Sequence, residues 1–183
     1  PAEAAAEAPA EAAGAAPSGA QGPSPLYWKI DLPEVSRVLL QRGILPDGFQ
    51  PTDDPHVTLL YVGGEGSDWA AAKRSGLSLE EFQNMRAALE ELDGQEFEVR
   101  VREIVIEESV ACAVVSLPPT VPCVNAVPHV TLGIKLGVPP RYANDVLEEV
   151  KDGRTEGVFK IPLPAPRPLK GLLSLQRSKV GDE

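Results

Sequence analysis

The pentapeptide Pro-His-Val-Thr-Leu occurs twice, at 55–59 and 128–132, and it contains the only two histidines of the 183-residue chain. On a β-strand residues i and i+2 point the same way, so His56 and Thr58 share one face while Val57 and Leu59 share the other. The same alternation pairs His129 with Thr131, and Val130 with Leu132. Each copy thus calls for a strand with one apolar face buried and one polar face left for chemistry. A lone His-x-Thr on a strand is usually a satisfied, half-buried pair. Packing does not account for two identical copies about 73 residues apart in a chain with no other histidine, and the duplication suits two similar lobes facing each other.

The surrounding pattern supplies those lobes. Leu26–Leu32 alternates and reads as a strand, Pro33 opens a helix carrying Val35, Val38 and Leu39, and Gly43 stops it. Gly43–Asp54 reads as a loop, Pro55–Val62 as a buried strand, and the glycine- and charge-rich stretch Gly63–Gly76 as an exposed, mobile loop. Ser78 with Glu81 forms a capping box ahead of the stripe Phe82, Met85, Leu89, Leu92. Strands follow at Phe97–Ile106, with a parity shift between Val101 and Ile104 that signals a bulge, and at Val110–Leu117 and Pro128–Lys135. A helix at Pro139–Val150 and two strands, Gly157–Leu163 and Leu169–Leu175, complete the order. This is an α+β pattern with mainly antiparallel sheets and helices outside.

The first 25 residues contain no Val, Ile, Leu or aromatic residue, so burial cannot offset the entropy of ordering them. A disordered Ala/Pro/Glu-rich linker is expected over 1–25 and a folded domain over 26–178. A linker running straight into a folded pattern, with Pro1 rather than Met at its start, predicts one domain of a longer polypeptide. Lys and Arg number 17 against 27 Asp and Glu, a net charge of −10, which disfavours wrapping of long nucleic acid but not a short, end-on phosphate substrate. Residues 151–183 reverse the balance, with seven basic side chains against four acidic ones. Cys112 and Cys123 match neither a metal spacing nor a disulfide framework, so a reduced intracellular protein, nuclear or cytoplasmic, is expected. No stretch approaches the roughly 18 apolar residues of a membrane span, and no signal peptide is visible.

Two imidazoles flanking a phosphodiester provide what acid/base cleavage requires, since one takes a proton from water while the other gives one to the leaving oxygen. A pKa of roughly 6.5 lets both protonation states coexist near neutrality. The threonine hydroxyls donate to the non-bridging oxygens that gain charge in the transition state. This scheme calls for no metal or cofactor.

Paired H-x-T motifs are the signature of the 2H phosphoesterase superfamily, which this sequence resembles. Asn125–Leu173, beginning NAVPHVTLGIK, is similar to the C-terminal cyclic phosphodiesterase domain of plant-type tRNA ligases, as is the strand pair Glu98–Leu117 before it. The myelin cyclic nucleotide phosphodiesterase is similar in its two H-x-T motifs and less so elsewhere. The resemblance covers about residues 26–175. It implies a bilobal fold of two mainly antiparallel sheets facing a central cleft, with His56, Thr58, His129 and Thr131 as catalytic residues. It also implies hydrolysis of RNA 2′,3′-cyclic phosphate ends, such as those of tRNA exon halves, to 2′-phosphate, within a longer RNA ligase or kinase polypeptide. By the same resemblance His56 is the general acid and His129 the water-activating base.

Tyr27, Trp28 and Trp69 are candidates for stacking on a nucleobase, Asn125 for orienting substrate, and Lys135 for meeting phosphate if β parity persists past Gly133. Two other readings share the fold: a phosphodiesterase for small cyclic nucleotides, and a non-catalytic module whose H-x-T pairs only hold phosphate.

Overall fold

The computed structural model describes residues 24–35, 39, 43–63 and 67–178. Its strands are β1 (Pro25–Asp31), β2 (Phe49–Pro51), β3 (His56–Tyr61), β4 (Glu96–Glu107), β5 (Val110–Ser116), β6 (His129–Lys135) and β7 (Val158–Arg177). Its helices are α1 (Asp68–Arg74), α2 (Leu79–Glu91) and α3 (Tyr142–Lys151). The linker expected over 1–25 lies outside the described residues up to 23, and Pro25 already belongs to β1. The helix expected from Pro33 to Gly43 falls mostly on residues outside those described. Near its two ends Val35 and Leu39 are buried and Gly43 takes a positive φ of 63°.

All strand pairings are antiparallel. Following them gives β6–β3–β1–β7–β4–β5, and β5 pairs back onto β6, so six strands close into a barrel-like sheet with β2 added along the far end of β6. The strands therefore form one continuous hydrogen-bonded sheet rather than two separate ones. The seam between the histidine strands is narrow, a single register pair, Val57 with Val130. One face of the sheet buries the main core, including Trp28, Ile30, Val57, Leu59, Leu60, Val99, Val101, Val130 and Leu132. Helices α1 and α2 contribute Ala71, Ala72, Phe82 and Leu89 to it. A second cluster lies on the other face of β5, where Val110 and Cys112 pack under Ala143, Val146 and Leu147 of α3.

Local sequence explains most elements. Ser78 accepts from the Glu81 amide while the Glu81 carboxylate accepts from the Ser78 amide, so α2 starts at the expected box, an arrangement contributing about 1 kcal/mol. The β4 register shifts between Val101 and Glu103, where the parity change signalled it. Three expectations are corrected. The stretch Gly63–Gly76 contains helix α1, because Asp68–Arg74 (DWAAAKR) is rich in helix formers, buries Ala71 and Ala72, and places acid in its first turn and bases in its last. The loop Gly43–Asp54 contains β2, stabilised by its partner Gly133–Lys135 rather than by its own propensity. The two last strands are one, β7, in which residues 163–166 bulge opposite Arg102. Pro162 and Pro168 pair with β4 alone and Pro164 and Pro166 lie in the bulge between them, a stretch where missing N–H groups deny the open edge to a further strand.

Candidate active site

The pair Val57–Val130 sits at the centre of both pentapeptides. Continuing that antiparallel register by one residue in each direction sets His56 opposite Thr131 and Thr58 opposite His129. The two H-x-T pairs therefore lie on one face, related by a local two-fold, while Val57 and Val130, both fully buried, anchor the opposite face. The symmetry extends to a second feature. In β3 Lys29 pairs with Thr58 and Trp28 with Leu60, so Leu59 is the extra residue of a bulge; in β6 Cys112 pairs with Thr131 and Ala111 with Gly133, so Leu132 is the extra residue there. The last residue of each pentapeptide is thus a buried bulge that ends the histidine face and re-aims whatever follows.

Both imidazoles are held in the same way. Nδ1 of His56 lies 2.7 Å from the carbonyl oxygen of Asp54, and Nδ1 of His129 lies 2.9 Å from that of Val127. A carbonyl can only accept, so each Nδ1 carries the hydrogen and Nε2 is the nitrogen left able to accept a proton when the ring is neutral and to give one when it is charged. The acceptor is in each case two residues upstream, across a proline. The proline biases that residue to an extended conformation, which is the local reason the pentapeptide begins with Pro.

Their surroundings differ. His129 is 8% exposed, and burial first, then the charge of His56, hold its pKa below the ordinary imidazole value despite the opposing Val127 hydrogen bond. His56 is more open. The Tyr27 ring stacks on it with centroids 5.3 Å apart, and the Asp54 carboxylate comes within 3.6 Å of its Nδ1. That carboxylate is bound by Lys29 at 2.9 Å; Lys29 also binds Asp31 at 2.6 Å, and Asp31 accepts from the Ser174 hydroxyl. Lys29 is only 6% exposed. Burial alone would lower its pKa, but its hydrogen bonds and charge contacts with Asp31 and Asp54 raise it, so it stays charged.

The weaker candidates scatter. Tyr27 is in contact with His56. Trp28, one residue on, is 2% exposed and points into the core, because alternation puts Tyr27, Lys29 and Asp31 on the histidine face and Trp28 and Ile30 beneath it. Trp69 is 61% exposed on α1 with the Lys73 ammonium 5.4 Å from its ring. Asn125 donates to the Thr58 carbonyl at 3.1 Å, tying the loop before β6 onto β3. Lys135 faces Glu108 and the Phe49 ring at the far end of β6, since the Leu132 bulge breaks the parity that would have aligned it with His129. Both cysteines are free thiols. Burial pushes Cys112 up to about 12 and Cys123 to about 11, so neither is a thiolate at neutral pH. Among the described residues no three His, Cys, Asp or Glu side chains group as a metal site, and no helix is long and apolar enough to cross a membrane.

Sequence reasoning missed Lys29, Asp31, Asp54 and Ser174. The alternation Tyr27, Lys29, Asp31 along β1 was the available signal for the first two.

A family model described as the fungal tRNA ligase phosphodiesterase domain matches residues 50–176, spanning both pentapeptides. The chain belongs to that family. The tRNA ligase phosphodiesterase domain is 2H phosphoesterase-like, in line with the resemblance that the paired H-x-T motifs carry. The crystal structure of a fungal RNA kinase is similar to this tRNA ligase phosphodiesterase domain, with a TM-score of 0.56 and 18% identity over 85% of this chain. At that identity the likeness shows the fold alone. The chain spans 47% of the kinase chain, about half its length. A search of curated protein sequences found no significant match.

Proposed function

We propose that this domain hydrolyses RNA 2′,3′-cyclic phosphate ends to a 2′-phosphate and a 3′-hydroxyl, as the end-healing step of tRNA splicing or RNA repair. The observation that carries this reading is the two-fold pairing of His56 and Thr58 with His129 and Thr131 about Val57–Val130, with both Nδ1 atoms tied back. In this reading a cyclic phosphate seated between the imidazoles would have one Nε2 on either side of phosphorus, and the threonine hydroxyls would donate to its non-bridging oxygens. In this scheme the neutral His129 takes a proton from the attacking water. His56 protonates the departing 3′-oxygen, so the phosphate stays on the 2′-oxygen. The lowered pKa of His129 supports it as the base, because it remains neutral in the range where a base is needed. In this view the β3–β6 seam divides the sheet into two lobes, residues 26–178 act as the catalytic unit, and that unit belongs to a longer RNA ligase or kinase polypeptide.

Incubating the protein with an oligonucleotide ending in a 2′,3′-cyclic phosphate, with and without EDTA, tests the proposal. A 2′-phosphate product formed equally in both is expected. A 3′-phosphate product removes the regiochemistry, and no product removes the reaction.

A further inference from the structure

The bulge at Leu59 has an effect beyond the histidines. Without it, alternation from His56 and Thr58 would carry Leu60 onto the catalytic face and bury Tyr61. With it, Leu59 and Leu60 are both buried, and Tyr61 emerges 41% exposed, directly opposite Tyr27 in the β1–β3 register. Tyr27 is already stacked on His56, so Tyr61 is the next aromatic ring on that face. Over it lies the Arg74 guanidinium, 5.8 Å from the ring centroid, held by a 2.9 Å bond from its Nη2 to the Gly63 carbonyl. Gly63 itself admits no side chain, since a Cβ there would lie 2.4 Å from the Leu26 backbone. Chain packing thus fixes the carbonyl that positions the arginine.

We infer that Tyr61 and Arg74 form a stacking platform for the nucleobase that precedes the cyclic-phosphate nucleotide in a single-stranded RNA. This rests on the reading of the site as acting on RNA cyclic-phosphate ends and extends it to the next nucleotide. The exposed ring offers a sequence-tolerant π surface, and the guanidinium offers a charge for the phosphodiester joining the last two nucleotides. From His56 to Tyr61 the strand backbone advances four regular steps around the bulge, ~13 Å at about 3.3 Å each. Tyr27, directly opposite Tyr61, leans back along that span and brings its ring to 5.3 Å from His56, so Tyr27 fills the place nearest the imidazole and Tyr61 is left for a base one nucleotide further out. The net charge of −10 makes such a localised contact the more necessary, because the surface as a whole does not attract RNA.

The test uses the inactive His129→Asn protein and a short oligoribonucleotide ending in a 2′,3′-cyclic phosphate, with 2-aminopurine either at the last position or at the one before it. Stacking on Tyr61 predicts fluorescence quenching on binding from the penultimate probe. Tyr61→Ala is expected to abolish that quenching and weaken binding by about tenfold, whereas Tyr61→Phe retains both. Arg74→Ala is expected to weaken binding and flatten its salt dependence. In the otherwise wild-type enzyme, Tyr61→Ala is expected to lower the ratio of kcat/KM for oligonucleotide over nucleoside 2′,3′-cyclic phosphate by a similar factor. Quenching from the terminal probe alone, or affinity unchanged in a folded Tyr61→Ala protein, overturns the inference. Because the fluorescence readout needs no turnover, an absence of hydrolysis would count against the proposed reaction and leave this test intact.

Discussion

Val57 of β3 pairs with Val130 of β6, and this one register contact turns a repeated pentapeptide into a two-fold site. Both valines are fully buried, so the contact is fixed by the core, and the polar residues on either side follow from it. A slip of one residue would send every side chain of the motif to the wrong face.

In the proposed mechanism, replacing either histidine removes one of two proton transfers. His56→Ala and His129→Asn are each expected to lower kcat by roughly a hundred- to ten-thousandfold. Asn at 129 keeps a donor near the Val127 carbonyl, which matters because His129 is buried and its truncation to Ala would also cost stability. Thermal melts alongside single-turnover rates separate the two effects. Wild-type rates in either folded variant would remove the paired mechanism.

In the proposed mechanism Thr58→Ala and Thr131→Ala each delete one hydroxyl that would donate to the phosphoryl oxygens. The loss expected is about 2.7 to 4 kcal/mol of transition-state stabilisation at most, seen mainly in kcat. Unfolding of these variants, with no folded fraction to assay, would instead make the threonines structural.

Activity should trace a bell in pH. If His129 is the base, as proposed, it must be neutral, so kcat/KM rises as His129 loses its proton; its folded pKa is lowered, which puts this rising limb below about pH 6.5. The rate falls again at higher pH as the acid loses its proton. The same shift bears on stability: an imidazole with a depressed folded pKa contributes stability that is present above its unfolded pKa, about 6.5, and is lost as pH falls toward the folded value. A flat rate profile between about pH 5 and 9 would contradict the assignment.

Leaving-group chemistry distinguishes acid from base. A substrate whose 3′-leaving group has a low pKa needs little protonation, so it should restore turnover to His56→Ala and not to His129→Asn. Rescue of the position-129 variant alone would reverse the roles.

Lys29 joins Asp31 and Asp54 beside His56, on the same face of the sheet. Lys29→Met is expected to lower unfolding stability by about 1 to 3 kcal/mol, since both carboxylates lose their partner but are open enough to regain water. It is also expected to reduce kcat, because the Asp54 segment carries the carbonyl that orients His56. A urea midpoint equal to wild type would show that the cluster does not hold this corner of the sheet.

The sequence by itself determined the parts that short-range chemistry controls. Alternation in each PHVTL placed a histidine and a threonine on one face, the prolines set up the carbonyls that hold both Nδ1 atoms, Ser78 and Glu81 started α2, and the parity change after Val101 marked the β4 bulge. Only the tertiary structure decided what long-range pairing controls. The meeting of Val57 with Val130, the return of β5 onto β6 that closes one sheet, and the formation of β2 along Gly133–Lys135 all depend on partners distant in the chain. The same reason explains the surroundings of the histidines. Leu59 reads locally as one more apolar residue, and only its lack of a partner on β1 makes it the bulge that raises Tyr61 while Trp28 stays in the core. Lys29 and Asp54 are 25 residues apart and meet only because β1 lies against β3. Side-chain periodicity is a property of a single strand, whereas register and closure are properties of a pair.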